Sequence, residues 1–246
     1  MDLKGKVVIV TGGKRIGRIV AQQVAAHGAD LVLSYRGSKQ EAEDTVRDVQ
    51  ARGRRAIAVA ADVSKAVDCA ALVNAGREAL GRIDVLVNMA SVYGSTPFDE
   101  LSEAGWDRDL AINLKSAFLC SKAAIPPMRA AGGGRIVNFA DWLARSGRPA
   151  YKGFVSYYVA KAGIIALTES LALELAADQI LVNAIAPGPI LAPPDMDPGE
   201  IATVAKATPV GRWGGEIEIA KAVLALIETD FITGETIRVD GGRHLA

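Results

Sequence analysis

The sequence predicts an α/β fold in which a parallel sheet is covered by helices on both faces. Short apolar segments recur along the chain without strict polar alternation, which is typical of strands buried on both faces. Longer amphipathic segments lie between them, and this strand–helix–strand succession indicates right-handed units in one sheet. Hydrophobic residues make up 50% of the 246 positions and no linker or repeat divides the chain, so we expect a single domain over 1–246.

The predicted elements follow one another along the chain. The apolar segments predict seven strands, at 6–11, 30–35, 56–60, 83–88, 135–140, 180–185 and 236–239. Helices are predicted over 156–176 and over three segments that each end on a glycine, namely 15–28, 38–53 and 64–81. Prolines and glycines interrupt the pattern at 187–214, before a late helix. We expect a long loop there, with a substrate-contacting part at about 189–214.

Composition excludes several functional classes. The formal net charge is zero, with 28 basic and 28 acidic residues, which argues against nucleic acid or a membrane surface as the main partner. The two histidines lie far apart and the two cysteines lack ligand spacing, so we expect no metal site. The chain has no apolar segment of membrane-spanning length and no signal-peptide pattern. We therefore expect a cytoplasmic protein that acts on a small molecule.

A glycine-rich turn follows the first strand, at the edge where such sheets bind ligands. The segment TGGKRIG at 11–17 lets backbone amides approach a pyrophosphate at a helix N-terminus, although one such turn is weak support alone. Lys14 and Arg15 bring cations to this turn, and Arg36 follows the second strand, where NAD-binding folds place an acid. These cations favour the 2′-phosphate of NADPH. Asp62 either accepts a hydrogen bond from adenine or caps the next helix.

Motifs over nearly the whole chain resemble those of the short-chain dehydrogenase/reductase family. They are TGG…IG (11–17), DV (62–63), NMA (88–90), INL (112–114), Tyr157 with Lys161, NAIAPG (183–188) and ITGE…VDGG (232–242). The resemblance implies a Rossmann-like, doubly wound sheet of seven parallel strands and hydride transfer between a nicotinamide cofactor and a carbonyl or imine. It also implies a homodimer or homotetramer. The residues predicted to hold NADPH are Gly12, Lys14, Arg15, Ile16, Gly17, Tyr35, Arg36, Ser38, Asp62, Val63, Asn88, Ala90, Tyr157, Lys161, Pro187 and Gly188.

The predicted catalytic residues are Tyr157, Lys161, Asn113 and Asp141. Tyr157 and Lys161 are four positions apart on a predicted helix, so they share one face. We expect the Lys161 ammonium to lower the pKa of the Tyr157 phenol toward the working pH, as a general acid requires. The resemblance implies that Lys161 also holds the nicotinamide ribose and that Asn113 holds a water beside it.

Asp141 ends the fifth predicted strand, where most of the family has a serine. An ionised carboxylate accepts hydrogen bonds but cannot donate one to a carbonyl. Asp141 therefore suits a substrate with N–H groups, or acts as a protonated acid if burial raises its pKa. The pteridine reductase branch resembles this chain in Asp141, in Arg15 and in an aromatic residue at Tyr93, which implies a pterin or dihydropteridine substrate. The predicted substrate contacts are Ser91, Tyr93, Asp141, Trp142 and Tyr157.

Three departures from the family pattern leave other functions open. The turn at 11–17 is one residue shorter than usual, and Ala192 stands where a threonine is common. A few extra residues separate Asp141 from Tyr157. Within this insertion, Arg145, Arg148, Tyr151 and Lys152 either contact an anionic substrate or form an exposed basic loop. Alternatively, Asp141 is a structural acid that pairs with one of these cations. The alternatives to pterin reduction are a carbonyl reductase of the 3-oxoacyl-thioester type and an NADP-binding regulatory protein without turnover.

Overall fold

Seven parallel strands form one sheet at the centre of the molecule. The computed structural model of the protein describes residues 1–146 and 151–245. The strands are β1 (Val7–Thr11), β2 (Asp30–Tyr35), β3 (Ala56–Ala60), β4 (Val85–Asn88), β5 (Gly134–Phe139), β6 (Ile180–Pro187) and β7 (Thr236–Val239). Their order is β3-β2-β1-β4-β5-β6-β7, and all neighbouring strands are parallel. The predicted Rossmann-like, doubly wound sheet is confirmed, while the single domain over 1–246 stays a prediction.

Helices connect the strands and cover the sheet. They are α1 (Ile16–Ala26), α2 (Lys39–Gln50), α3 (Ala66–Leu80), α4 (Glu103–Leu110), α5 (Ser116–Ala130), α6 (Trp142–Ser146), α7 (Val155–Leu175), α8 (Pro198–Lys206) and α9 (Glu216–Glu228). A π-helical turn, Ala111–Lys115, joins α4 to α5. Among the described residues, no helix is both long and apolar enough to cross a bilayer.

The sheet carries a hydrophobic core on each face because alternate residues of its strands point in opposite directions. All five residues of β1 are buried. Val8 and Val10 pack into the cluster that includes α1 and α9 residues, whereas Val7 and Ile9 pack into the cluster that includes α3 and α5 residues. This two-sided burial explains why the strands read as continuous apolar segments rather than alternating ones.

The carboxyl ends of three central strands lie side by side at one edge of the sheet. Thr11 of β1 is in register with Asn88 of β4, and Asn88 is in register with Asn138 of β5. From β1, the chain builds β2 and β3 on one side of that strand and then returns to build β4 on its other side. Open α/β sheets bind ligands at such a reversal of strand order.

Two local features differ from the sequence-based expectations. The predicted loop at 187–214 contains the helix α8. The Asp197 side chain caps this helix by accepting hydrogen bonds from the amides of Gly199 and Glu200, and Pro198 is tolerated because it lies in the first turn. Asn113 was expected on a regular helix but lies in the π-helical turn. π-Helical turns are frequent at functional sites because they redirect side chains locally.

Candidate active site

The turn after β1 lies close to the loop after β4. A Cβ atom added to Gly12 would lie 3.1 Å from the Cα of Ala90, and one added to Gly17 would lie 2.1 Å from the carbonyl oxygen of Gly12. Thr11 fixes this approach, since its Oγ1 accepts hydrogen bonds from the amides of Met89, at 3.0 Å, and Ala90, at 3.1 Å. Because Gly12 and Gly17 carry no side chains, a phosphate group has room to approach the N-terminus of α1.

A cleft of about 520 Å³ opens beside this turn. It brings together predicted cofactor and substrate residues from the carboxyl ends of β1, β2, β3 and β4 and the loops that follow them, namely Gly12, Lys14, Tyr35, Arg36, Ser38, Asp62, Val63, Ala90 and Ser91. Of its cations, Arg36 lies in the loop after β2, and Lys14 lies in the turn after β1, with its Nζ 2.8 Å from the Glu41 carboxylate. These side chains and the open glycine turn fit a nicotinamide dinucleotide that carries a 2′-phosphate.

Asp62 lies at the edge of the cleft with its carboxylate already engaged. Its Oδ1 accepts hydrogen bonds from the Ser64 amide, at 3.2 Å, and from the Ser64 hydroxyl, at 2.7 Å. These hydrogen bonds lower the pKa of Asp62 below its ordinary value. The carboxylate therefore organises the turn that precedes α3, and its Oδ2 lies 3.8 Å from the Lys65 Nζ.

The remaining predicted cofactor residues do not line the cleft. Asn88 turns inward, where its Nδ2 donates to the Asn138 Oδ1 at 2.9 Å and lies 3.4 Å from the Ser121 hydroxyl. Arg15 donates from Nη2 to the carbonyl oxygen of Ala192, at 2.9 Å. The other such residues are Ile16, Gly17, Tyr157, Lys161, Pro187 and Gly188. Their contact with a cofactor stays a prediction.

Asp141, Tyr157 and Lys161 meet beside the end of β5. The Tyr157 hydroxyl donates to the Asp141 Oδ2 at 3.0 Å, and the Asp141 Oδ1 accepts from the amide of Leu143 at 2.9 Å. Lys161 is buried, and its Nζ donates to the carbonyl oxygen of Phe139 at 2.7 Å. One turn of α7 thus brings the tyrosine and the lysine to the acid that ends β5, as predicted from their spacing.

Burial dominates the ionisation of these three groups. It raises the pKa of Asp141, against the hydrogen bonds from Leu143 and Tyr157, and it lowers the pKa of Lys161 to about 8. Burial and then the neighbouring Asp141 charge raise the pKa of Tyr157 well above its ordinary value. The prediction that Lys161 lowers the tyrosine pKa is therefore wrong for this arrangement. The carboxylate lies against the hydroxyl, whereas the ammonium is held by Phe139 and lies 5.6 Å from the centre of the Tyr157 ring.

Asn113 joins the loop after β4 to the π-helical turn. Its Oδ1 accepts hydrogen bonds from the Ser91 hydroxyl, at 2.6 Å, and from the Val92 amide, at 3.0 Å. Its Nδ2 is buried with no protein partner among the described residues. A buried amide group of this kind is ordinarily satisfied by a water molecule, in line with the role that the resemblance implies.

A second cavity, of about 230 Å³, is lined by the three groups Asp141, Tyr157 and Lys161. Its lining comprises Tyr93, Asp141, Leu143, Ala144, Tyr151, Phe154, Val155, Tyr157, Tyr158, Val159 and Lys161. The Tyr93 ring stacks on Phe154, with centroids 4.7 Å apart, and meets Tyr157 edge to face at 5.0 Å. Tyr93 was predicted here, but Phe154 was missed. The sequence shows Phe154 only as an aromatic residue at the end of the insertion.

Other predicted substrate contacts point elsewhere. Trp142 does not line this cavity, because the Arg243 guanidinium lies 5.9 Å from its ring centre in a contact with the C-terminal segment. In the insertion, the Arg145 Nε donates to the Thr236 carbonyl oxygen at 3.3 Å. Arg148 lies outside the described residues. Among the described residues, no cation forms an ion pair with Asp141, and the alternative of a structural ion pair with Arg148 stays a prediction.

Comparison with known proteins identifies the family. The model of a family described as enoyl-(acyl carrier protein) reductase matches residues 11–244. A solved short-chain dehydrogenase/reductase from Serratia marcescens superposes with a TM-score of 0.91 at 32% identity, over 99% of this chain and 100% of that one. The chain belongs to the short-chain dehydrogenase/reductase family. It is therefore an oxidoreductase of a small-molecule substrate.

Two further relatives bear on its chemistry. The chain is 36% identical over 245 residues to the 3-oxoacyl-(acyl-carrier-protein) reductase FabG of Staphylococcus aureus, which covers 98% of each protein. It also resembles a blue fluorescent protein from a metagenomic library, solved in complex with NADPH, with a TM-score of 0.91, 32% identity and 99% coverage of both chains. Neither relative is named as a pteridine reductase, so that part of the resemblance stays a prediction.

Proposed function

We propose that this protein uses NADPH to reduce a carbonyl group on a small substrate. The observation that carries the proposal is the contact of Tyr157 with Asp141 beside buried Lys161, since all three residues line the second cavity. When bound in the dinucleotide cleft, NADPH would supply the hydride. Lys14 and Arg36 would hold its 2′-phosphate, and the name of the Staphylococcus aureus relative makes a 3-oxoacyl thioester the first substrate to test.

Each group at the reaction centre has a defined task in this proposal. Tyr157 gives the proton that the substrate oxygen gains, and Lys161 holds the nicotinamide ribose and keeps a positive charge near the phenol. Asp141 takes the place of the family's serine. Because burial raises its pKa, it can stay protonated and donate a hydrogen bond to the carbonyl oxygen as the serine hydroxyl would.

The test follows NADPH absorbance with acetoacetyl thioester in the wild type, Tyr157→Phe and Asp141→Ser. We expect turnover in the wild type, a loss of roughly 100-fold to 10,000-fold in kcat with Tyr157→Phe, and retention in Asp141→Ser. NADPH binding, measured by its fluorescence, should survive in all three. Full activity of Tyr157→Phe would exclude the phenol as the proton donor.

A pterin or dihydropteridine is the second candidate substrate. It is favoured by one observation, namely that Asp141 is a carboxylate with lone pairs at the reaction centre, because a pterin presents N–H donors to such an acceptor. Dihydrobiopterin and dihydrofolate therefore belong in the same assay. Pterin turnover that is lost in Asp141→Ser would establish this candidate, whereas thioester turnover that persists in Asp141→Ser would exclude it.

Three further parts of the proposal concern the protein as a whole. NADPH binding without turnover of any carbonyl or pterin would instead indicate a regulatory protein. We propose self-association as a dimer or tetramer, which the exposed Leu173 of α7 and Phe231 after α9 support. A cytoplasmic location also stays a prediction.

A further inference from the structure

The insertion between Asp141 and Tyr157 forms one wall of the second cavity from aromatic rings. Phe154 stacks on Tyr93 at 4.7 Å with an interplanar angle of 25°. Tyr151 and Tyr157 each meet the Phe154 ring at 6.4 Å, at steep angles. The four rings are therefore one connected cluster, and the proton donor Tyr157 is a member of it. Aromatic rings attract a further ring in stacked or edge-to-face arrangements over such distances.

The rest of the cavity is apolar and gives few hydrogen-bonding groups. Its aliphatic lining residues are Leu143, Ala144, Val155 and Val159, and Tyr158, Asp141 and Lys161 complete the lining. The polar groups that face it are the phenols and the Asp141 carboxyl, because the Lys161 ammonium donates to the Phe139 carbonyl oxygen. Binding sites with this composition take apolar ligands whose orientation is set by a small number of polar contacts.

We propose that the insertion makes this site selective for ketones carried on a flat, apolar aromatic ring. The inference rests on the proposed carbonyl reduction and concerns the shape of its substrate. The ketone oxygen meets the Tyr157 hydroxyl, which donates its proton as the carbonyl carbon gains hydride from NADPH. The aromatic ring lies against the Tyr93 and Phe154 rings. The product is the secondary alcohol together with NADP⁺.

Two other substrate classes fit the cavity less well. A pterin carries several ring nitrogens, an amino group and a carbonyl, and an apolar lining would leave most of them without hydrogen-bond partners. A thioester on an acidic carrier protein calls for several free cations at the mouth of the site. Of the two described cations of the insertion, Arg145 is bonded to the Thr236 carbonyl oxygen, and Lys152 is exposed.

The experiment compares kcat/KM for acetophenone with that for cyclohexyl methyl ketone, which has a ring of similar size that is not flat. Acetoacetyl thioester is the third substrate. We expect wild type to prefer acetophenone over cyclohexyl methyl ketone by about threefold to tenfold. Phe154→Leu keeps an apolar side chain but removes the ring, so it should abolish that preference and leave cyclohexyl methyl ketone turnover nearly unchanged. Phe98→Leu makes the same change at a 72% exposed position outside the cavity lining and should leave the ratio of the two ketones unaltered.

The outcomes separate this inference from the proposed function. Equal use of the two ketones by wild type, or an equal loss of both in Phe154→Leu, overturns the aromatic selectivity and leaves carbonyl reduction in place. Oxidation of NADPH by none of the carbonyls overturns the proposed function. In that case saturation-transfer NMR still tests whether the aromatic wall of the second cavity binds acetophenone. The saturation-transfer signal of acetophenone should be present with wild type and lost with Phe154→Leu. Tyr93→Leu, at a largely exposed position, serves as the second variant if Phe154→Leu fails to fold.

Discussion

At the scale of single residues, the most unusual feature is a buried carboxyl group in contact with a buried phenol. Asp141 cannot be ionised there without cost, because burial raises its pKa more than the Leu143 amide and the Tyr157 hydroxyl lower it. Lys161 has the same difficulty with its own charge, and its pKa falls to about 8. Burial therefore works against the charge of the Asp141 carboxyl and of the Lys161 ammonium alike.

The raised pKa of Asp141 predicts a pH dependence of stability. Between the unfolded pKa, about 4, and the higher folded pKa, the folded state binds more protons than the unfolded state, so stability falls as pH rises. Asp141→Asn removes this loss. We expect the free energy of unfolding of Asp141→Asn, relative to wild type, to increase as the pH rises from about 4 to the folded pKa of Asp141, as measured by urea unfolding.

Asp62→Asn is the matched control, because its shift has the opposite sign. Hydrogen bonds from Ser64 lower the pKa of Asp62, so its stabilisation is present above the unfolded pKa and is lost as pH falls. Relative to wild type, Asp62→Asn should therefore lose stability as pH rises through about 4. Parallel pH profiles for wild type and Asp141→Asn would show that Asp141 ionises normally in the folded protein.

At the scale of elements, Arg15 ties the turn after β1 to the segment before α8. It occupies φ 50° and ψ −110°, a left-handed conformation that favours glycine, and its Nη2 bonds the Ala192 carbonyl oxygen at 2.9 Å. The arginine was predicted to hold a cofactor phosphate. Its observed partner instead links the two segments that flank the cleft, which makes Arg15 a positioning residue.

Replacing Arg15 should therefore loosen the segment 189–214 without weakening the fold. Arg15→Gly removes the bond to Ala192 and relieves the backbone conformation, so the melting temperature should stay the same or rise. Trypsin should cleave native protein faster after Lys206 and Arg212, and mass spectrometry would identify those fragments. Arg18→Ala is the control, since Arg18 lies on the same helix but pairs with Asp48. Equal cleavage rates in all three proteins would mean that Arg15 does not hold the segment.

The same elements show what the sequence reveals and what it does not. Two-sided burial leaves a continuous apolar signature, so each strand was predicted within about two residues. The helix α8 was missed because proline and glycine around it also suit a loop, and only the Asp197 cap distinguishes the two. The ring contact of Phe154 with Tyr93 was missed because it joins positions that are far apart in sequence. The tyrosine pKa was misjudged because Lys161 bonds a backbone carbonyl, which no spacing rule indicates.

At the scale of the whole molecule, apolar side chains are exposed on elements that also form the core. Val159 and Leu173 of helix α7 are exposed in the single chain. Phe118 of α5 and Phe231 after α9 are exposed as well. Exposed apolar patches often mark subunit contacts. These side chains support the predicted self-association.

Leu173 provides the test of that association, because its side chain is 83% exposed and adds nothing to the core of its own chain. We expect light scattering after size exclusion to give a mass of two or four chains of 25.7 kDa for wild type. Leu173→Asp should shift the mass toward that of one chain, because a carboxylate placed in an apolar contact loses its hydration without gaining a partner. Val67→Asp makes the same change at a 73% exposed position on α3 and should leave the mass unaltered. A wild-type mass of one chain at micromolar concentration would contradict self-association, and an unchanged mass in Leu173→Asp would place the contact on another surface.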